Sequence, residues 1–193
     1  MRPGHVLFPL SLLLFSALAT GPSNLNAQEE RSATPAADPG DVVSVDAIVA
    51  AVYDVISGPA GAARDWDRWR SLFIPDARLI ARVQGEDGTV RYRAMTPEDY
   101  AEASGPLLEQ NGFFEEEIGR TQEEFGPLVH LFSAYQSKRT QGDPEPFARG
   151  INSFQLMHDG ARWWVVTIYW ASERPDLPIP PRYLRGGGPA PTR

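Results

Sequence analysis

An α+β domain, with helices covering one face of an antiparallel or mixed sheet of about six strands, is the fold class this sequence predicts. Three observations carry that expectation. Residues 150–170 contain two β-rich runs around Asp159-Gly160, a pair that supplies the positive φ a tight hairpin turn demands, and three of the five tryptophans lie there. Residues 45–56 place Val45, Ile48, Val49, Val52, Val55 and Ile56 at i, i+3, i+4, i+7 spacing. The full order reads helix, helix, two strands, helix, four strands, without internal repeats, which segregates helices to one side of a sheet.

The first helix follows a capping Ser44 and ends at Ser57-Gly58-Pro59. A second, over about 65–73, puts Trp66, Trp69, Leu72 and Phe73 on one face and stops before Pro75. Residues 78–84 and 89–95 alternate around Gly85-Glu86-Asp87-Gly88 as a hairpin, with Leu79, Ala81 and Val83 on one face. Thr96-Pro97-Glu98-Asp99 opens a third helix: threonine caps, proline is preorganised for the first turn, and Asp99 is the reciprocal capping partner. That helix is expected to end near Glu109. Residues 113–121 alternate as an edge or solvent-facing strand, and 128–140 form a long strand with Leu128, His130 and Phe132 on one side and Val129, Leu131 and Tyr135 on the other. Both faces of the last strand are apolar, with Trp164 and Trp170 sharing one parity and Trp163 the other, so helices should cover one face and a second subunit the other.

The ends differ in kind. Arg2 followed by an apolar run from Val6 to Ala19 reads as an export signal, residues 1–27, cleaved after Ala19 or Ala27. The run falls short of the roughly 20 residues that span a bilayer. Cleavage after Ala27 leaves 166 residues, enough for one domain. Residues 28–43 read as a disordered linker, 44–172 as the domain, and 173–193 as a Pro/Gly-rich tail in which prolines oppose helix and central strand. Gly186-Gly187-Gly188 is no phosphate loop, because no helix follows it. With export, the protein is expected to be periplasmic or secreted.

The chain has no cysteine, which excludes disulfides, thiolate catalysis and lipidated cysteine anchors. Its net charge of −7 and lack of a basic stripe argue against nucleic acid and anionic membrane as partners. Six glutamates between positions 109 and 125 face a single Arg120, and this run reads as a solvated face.

In this order, three segments resemble the nuclear transport factor 2-like superfamily, and within it the SnoaL-like group: WDRWRSLFIPDAR at 66–78, VHLFSAYQSKR at 129–139, and RGINSFQLMHDGARWWVV at 149–166. The resemblance covers about residues 44–172. It implies a cone-shaped half-barrel, three helices against a strongly bent sheet with a pocket between them, and often a homodimer through the convex side of the sheet. Members include isomerases, dehydratases, cyclases and many non-catalytic proteins, so the fold does not assign a reaction.

What enters the cone decides function. His130 is the best candidate catalytic residue, a mid-strand imidazole able to act as acid or base near neutral pH. Tyr53, Asn152 and Tyr135 are hydrogen-bonding candidates, Asn152 because it shares a face with Phe154 and Leu156. Trp66, Trp69, Phe73, Phe132, Phe154, Trp164 and Trp170 line or fill the cone. The cofactor-free members rely on a buried aspartate or histidine, and the strands here offer few such acids. No metal is expected, since only His130 and His158 remain after loss of His5 with the signal, and no cofactor motif is present. The leading expectation is an exported domain binding a small apolar molecule through Tyr53, Trp66, Trp69, His130, Asn152, Phe154 and Trp170, without an assignable reaction. The alternatives are a cofactor-independent isomerase, dehydratase or cyclase using His130, and a non-catalytic dimeric interaction module.

Overall fold

A computed structural model describes residues 34–85 and 87–184. The expected export signal, the linker up to residue 33, Glu86 and the triple glycine lie outside the described residues. Four α-helices, α1 (Pro39–Val42), α2 (Val45–Ile56), α3 (Trp66–Ser71) and α4 (Pro97–Asn111), pack on one sheet of β1 (Phe73–Gln84), β2 (Val90–Met95), β3 (Phe114–Phe125), β4 (Leu128–Lys138), β5 (Ala148–His158) and β6 (Trp163–Ser172). The strand order is β2-β1-β6-β5-β4-β3, with β1 and β6 parallel and every other neighbour antiparallel. Among the described residues no helix is long and apolar enough to cross a membrane.

The helix caps form as the sequence predicts. Ser44 accepts from Ala47 N at 3.1 Å, and Thr96 and Asp99 form a reciprocal capping box. One difference is at α3, which stops at Ser71. Leu72 O accepts from Val165 N at 2.9 Å and Phe73 pairs with Val165, so β1 starts where a third helical turn was expected. Pairing with β6 satisfies two strands' backbone groups, which outweighs the local aromatic helical pattern. The register then shifts around Pro75 before regular pairing resumes at Arg78.

A buried arginine closes the helical layer. Arg64, 7% exposed, directs its guanidinium at the carbonyl oxygens of Ile56 (3.0 Å), Gly58 (2.7 Å), Ala62 (2.6 Å) and Leu108 (3.3 Å). Ile56 ends α2 and Leu108 lies in the last turn of α4, so one cation serves the partially negative ends of two helices. Its backbone N–H also donates to Glu109 Oε1 at 3.0 Å.

Sheet parity in β6 is set by a bulge. In β4, Val129, Leu131, Ser133, Tyr135 and Ser137 face the helices and are buried. In β6 the register shifts opposite Gln155/Leu156, so Trp163 and Val165 join Ile168 and Trp170 on the inner side while Trp164 turns out. Uniform alternation had paired Trp164 with Trp170. Trp164 instead carries Arg162 over its ring at 3.6 Å and donates Nε1–H to Asp159 Oδ2 at 2.6 Å. Asp159 also accepts from the backbone N–H groups of Ala161 and Arg162, and these bonds pull its carboxyl down to about 2.

Residues 173–184 of the tail pack on the outer face of the sheet. Ala171, Ile151, Ala134 and Gly119 are paired in turn across β6, β5, β4 and β3, a row on the outer face in which three of the four residues are small. The chain after β6 crosses toward β3, with Ile179 buried, a short 3₁₀ turn at Pro181–Tyr183, and Tyr183 5.4 Å from the Phe132 ring. A Cβ on Gly119 would lie 2.5 Å from Tyr183 O, so this close crossing requires glycine there. Proline fits such a strap because an extended segment lying across strands has no ladder bond to lose.

Arg64→Ala should destabilise the domain by about 3 kcal/mol or more, because several carbonyls lose their donors at once. Arg64→Lys should recover only part of this, since an ammonium cannot reproduce the fork. Urea denaturation of the three chains checks the order.

Candidate functional site

Between the helices and the inner face of the sheet lies a cavity of about 210 Å³. Its wall is aromatic and aliphatic, with Trp69 from α3, Tyr100 from α4, Tyr135 from β4, Phe154 from β5 and Trp170 from β6. Trp69 stacks on Tyr100 at 4.9 Å, and Tyr100 meets Trp170 edge-on at 6.4 Å. Trp69 Nε1–H is tied to Pro97 O at 2.9 Å, and the tyrosine hydroxyls of positions 100 and 135 bond to Ser104 and Ser172. The wall therefore presents ring faces more than polar groups.

One acid enters this wall. Glu115, on edge strand β3, places its carboxyl where Ser137 Oγ donates to Oε2 at 2.7 Å and Asn152 Nδ2 donates to Oε1 at 3.4 Å. Burial pushes the carboxyl up to about 7, and these two hydrogen bonds oppose the rise only in part. Ser57, the residue that caps α2, positions it: Ser57 Oγ donates to Tyr53 O at 2.7 Å and accepts from Glu115 N at 3.0 Å. The adjacent Gly58–Phe113 bridge fixes where β3 begins.

From Asn152 a second row of bonds leads outward. Asn152 Nδ2 donates to the Tyr53 hydroxyl at 3.1 Å, Tyr53 is 2.7 Å from Ser133 Oγ, and Ser133 Oγ donates to Glu117 Oε1 at 2.5 Å. Because Ser133 spends its proton on Glu117 and Tyr53 accepts from Asn152, the Tyr53 proton belongs to Ser133. Burial raises Tyr53 above the ordinary tyrosine range, which keeps that proton in place. Glu117 is held by Arg120, which also reaches Asp46 of α2 at 2.7 Å. This row borders a larger polar groove of about 570 Å³ between α2 and β3, which also touches Glu115, Lys138 and Gln141.

The architecture has counterparts among solved structures. A protein of unknown function with a cystatin-like fold from Nostoc punctiforme matches with TM-score 0.51 and 12% identity, over 71% of this chain and 93% of that one. Two proteins of unknown function described as nuclear transport factor 2-like also match: one from Silicibacter pomeroyi (0.45, 11% identity, 68% and 94% covered) and one from Methylobacillus flagellatus (0.44, 14%, 68% and 95%). The chain shares the cystatin-like fold of the Nostoc punctiforme protein. The likeness is one of fold alone. No family model matches the sequence, and no curated protein matches it.

Within this fold, Trp69, Asn152, Phe154 and Trp170 line the cavity, and Tyr53 stands behind Asn152 on the groove side. Phe73 is buried in the core, its ring tilted against Trp69 at 4.4 Å. Trp66 packs edge-on to Trp69 and against Gly105, outside the cavity wall. His130 is the main correction. It shares outward parity with Phe132, and its Nε2 lies 2.9 Å from Ser153 Oγ on the outer face. An imidazole there cannot serve a molecule inside the cone, and Phe132 lies under the tail rather than in the pocket. Among the described residues no cluster of three or more His, Asp or Glu is arranged to hold a metal ion.

Glu115 is the residue the sequence reading missed. The glutamate run was expected to be a solvated face, and Glu116, Glu123 and Glu124 are exposed as expected. The same alternation that exposes Glu116 turns Glu115 and Glu117 inward, and pairing with Ser137 and Tyr135 fixes that choice. The available signal was the parity Glu115 shares with Phe113, a residue that must be covered.

A carboxyl raised from 4.5 to about 7 opposes folding once the unfolded chain ionises. The unfolded carboxyl loses its proton first, so stability falls as pH rises from about 4.5 to 7 and then levels. Glu115→Gln, which keeps the acceptor oxygen, should therefore be more stable than the unaltered chain above pH 7, by at most about 3 kcal/mol, with the difference vanishing below pH 4.5. Thermal or urea melts of both chains across pH 4–8 measure this.

Proposed function

We propose that the cone binds a small, mainly apolar molecule whose one polar end meets Glu115. The observation that carries this reading is a carboxyl set into an otherwise aromatic cavity that the protein's own side chains leave unfilled. Apolar wall with one convergent polar group is the general form of a small-molecule site: the wall supplies affinity and the polar group orientation. Pre-bonding of Glu115 by Ser137 and Asn152 holds its carboxyl still before a ligand arrives, so little ordering remains to be done on binding. The test is titration with toluene and with benzyl alcohol, read by the fluorescence of Trp69 and Trp170. Saturable quenching is expected, and Ala148→Trp, which fills the cavity from β5, should weaken binding at least ten-fold. Absence of saturable binding by either probe refutes the reading.

A second reading is favoured by the acidity of Glu115. A carboxyl titrating at about 7 takes and returns protons near neutrality, the property a cofactor-independent proton-transfer catalyst needs. In this reading Glu115, not His130, is the acid or base. The expected outcome is protein-dependent exchange of the α-protons of cyclohexanone in D₂O, followed by NMR and abolished in Glu115→Gln; an unchanged exchange rate in that variant rejects it.

A further inference from the structure

We infer that the cone selects a small monocyclic amine, bound as its ammonium ion with the nitrogen on Glu115 and the ring against the aromatic wall. The inference rests on the cone being a ligand site and specifies the chemistry of its ligand. It starts from a charge that has no partner in the protein. The cavity wall contains one carboxyl and no arginine, lysine or histidine. The basic side chains around it are committed elsewhere: Arg64 to four carbonyls, Arg120 to Glu117 and Asp46, and Arg139 over the Phe147 ring at 4.1 Å. Both groups that hydrogen-bond the Glu115 carboxyl are neutral, and a carboxylate accepts about four such bonds, so there is capacity left for a charged donor. A buried carboxylate either gives up its charge or acquires a cation, and no cationic side chain lines the cavity to supply one.

The wall favours the same ion. Trp69, Tyr100, Tyr135 and Trp170 line the cavity, Trp69 with its Nε1–H spent on Pro97 O, and aromatic rings attract a desolvated cation. An anionic ligand meets the Glu115 carboxylate itself, with no cationic side chain on the cavity wall to offset it. Size narrows the class further. A dry cavity of about 150 Å³ is known to accommodate benzene. At about 210 Å³, this one has room for a single ring with a short substituent and is too small for a fused polycyclic skeleton.

Binding of an ammonium ion requires ionised Glu115, so affinity should fall as pH is lowered through about 7. The groups facing Glu115 are the hydroxyls of Tyr53 on α2, Tyr100 on α4 and Tyr135 on β4, each raised above the ordinary tyrosine value and so protonated in that range, with Asp54, Glu116, Glu117, Arg120 and Lys138 along the groove.

Calorimetric titration of the full chain with 2-phenylethylamine, 2-phenylethanol and phenylacetate, three ligands of one shape and different charge, tests the inference. At pH 8 the amine should bind at least ten-fold tighter than the alcohol, and phenylacetate weakest. The preference for amine should shrink on going to pH 5.5 and disappear in Glu115→Gln. A two-ring analogue, 2-(1-naphthyl)ethylamine, should bind at least ten-fold more weakly than 2-phenylethylamine. Equal or tighter binding of the alcohol or phenylacetate, tighter binding of the naphthyl amine, or an amine preference retained in Glu115→Gln overturns the inference while leaving the cone a ligand site. Failure of all three single-ring probes to bind overturns both. The ligand series and pH profile are read on the unaltered chain, so they decide the matter even if Glu115→Gln does not fold.

Discussion

The geometry of the cone depends on one buried cation. Arg64 gathers the end of α2, the turn after it and the last turn of α4 onto a single guanidinium. Those carbonyls would otherwise be left without donors in the interior, where an unpaired polar group costs about 1–3 kcal/mol. Closing the two helix ends together also sets the position of Gly58, whose bridge to Phe113 starts β3. Glu115 is two residues further on. The residue with the most chemical interest is therefore placed by a contact made at the opposite end of a short chain of backbone bonds.

That placement accepts an electrostatic cost. A carboxyl among aromatic rings is less well solvated than in water, and the neutral donors Ser137 and Asn152 only partly offset the loss. Edge strand β3 can carry an acid here because its other glutamates remain in water, and the bulge around Ile118 lets Arg120 turn back to Glu117 and Asp46. The outcome is a polar seam with two ends: an ion pair at the groove and an unpaired carboxyl in the cone. Asn152 donates to both Glu115 and Tyr53, and from Tyr53 the bonds run through Ser133 to the outer acid; among the described residues no buried side-chain polar atom lacks a partner.

Much of the fold was legible along the chain because the signals were local. The period of α2, the Thr96–Asp99 box and the Asp159-Gly160 turn each act within a few residues, and each appears as expected. The site was legible only in part. Asn152 stood out as a polar residue among Phe154 and Leu156, and Trp69, Phe154 and Trp170 followed from aromatic spacing. His130 misled because alternation gives two faces without naming which one is inside, and the inner set proved to be Val129, Leu131, Ser133 and Tyr135. Trp164 misled for a different reason: one extra residue in β6 reversed the parity that uniform alternation had carried through from Trp170.

By itself the sequence determined the strands, three of the four helices, their order and their amphipathic faces, because caps, turns and periodicity are written in neighbouring residues; Pro39–Val42, inside the expected linker, forms α1 instead. Tertiary structure alone decided which face of β4 looks inward, where β6 changes parity, that the proline-rich tail lies across Gly119, and that one glutamate in a run of three enters the cone. Each of these depends on pairing between strands distant in the chain, and the free energy of such pairing is a property of the partner as much as of the residue. Glu115 and Glu116 are the same amino acid in adjacent positions, and only the partner strand makes one a surface charge and the other the acid of a pocket.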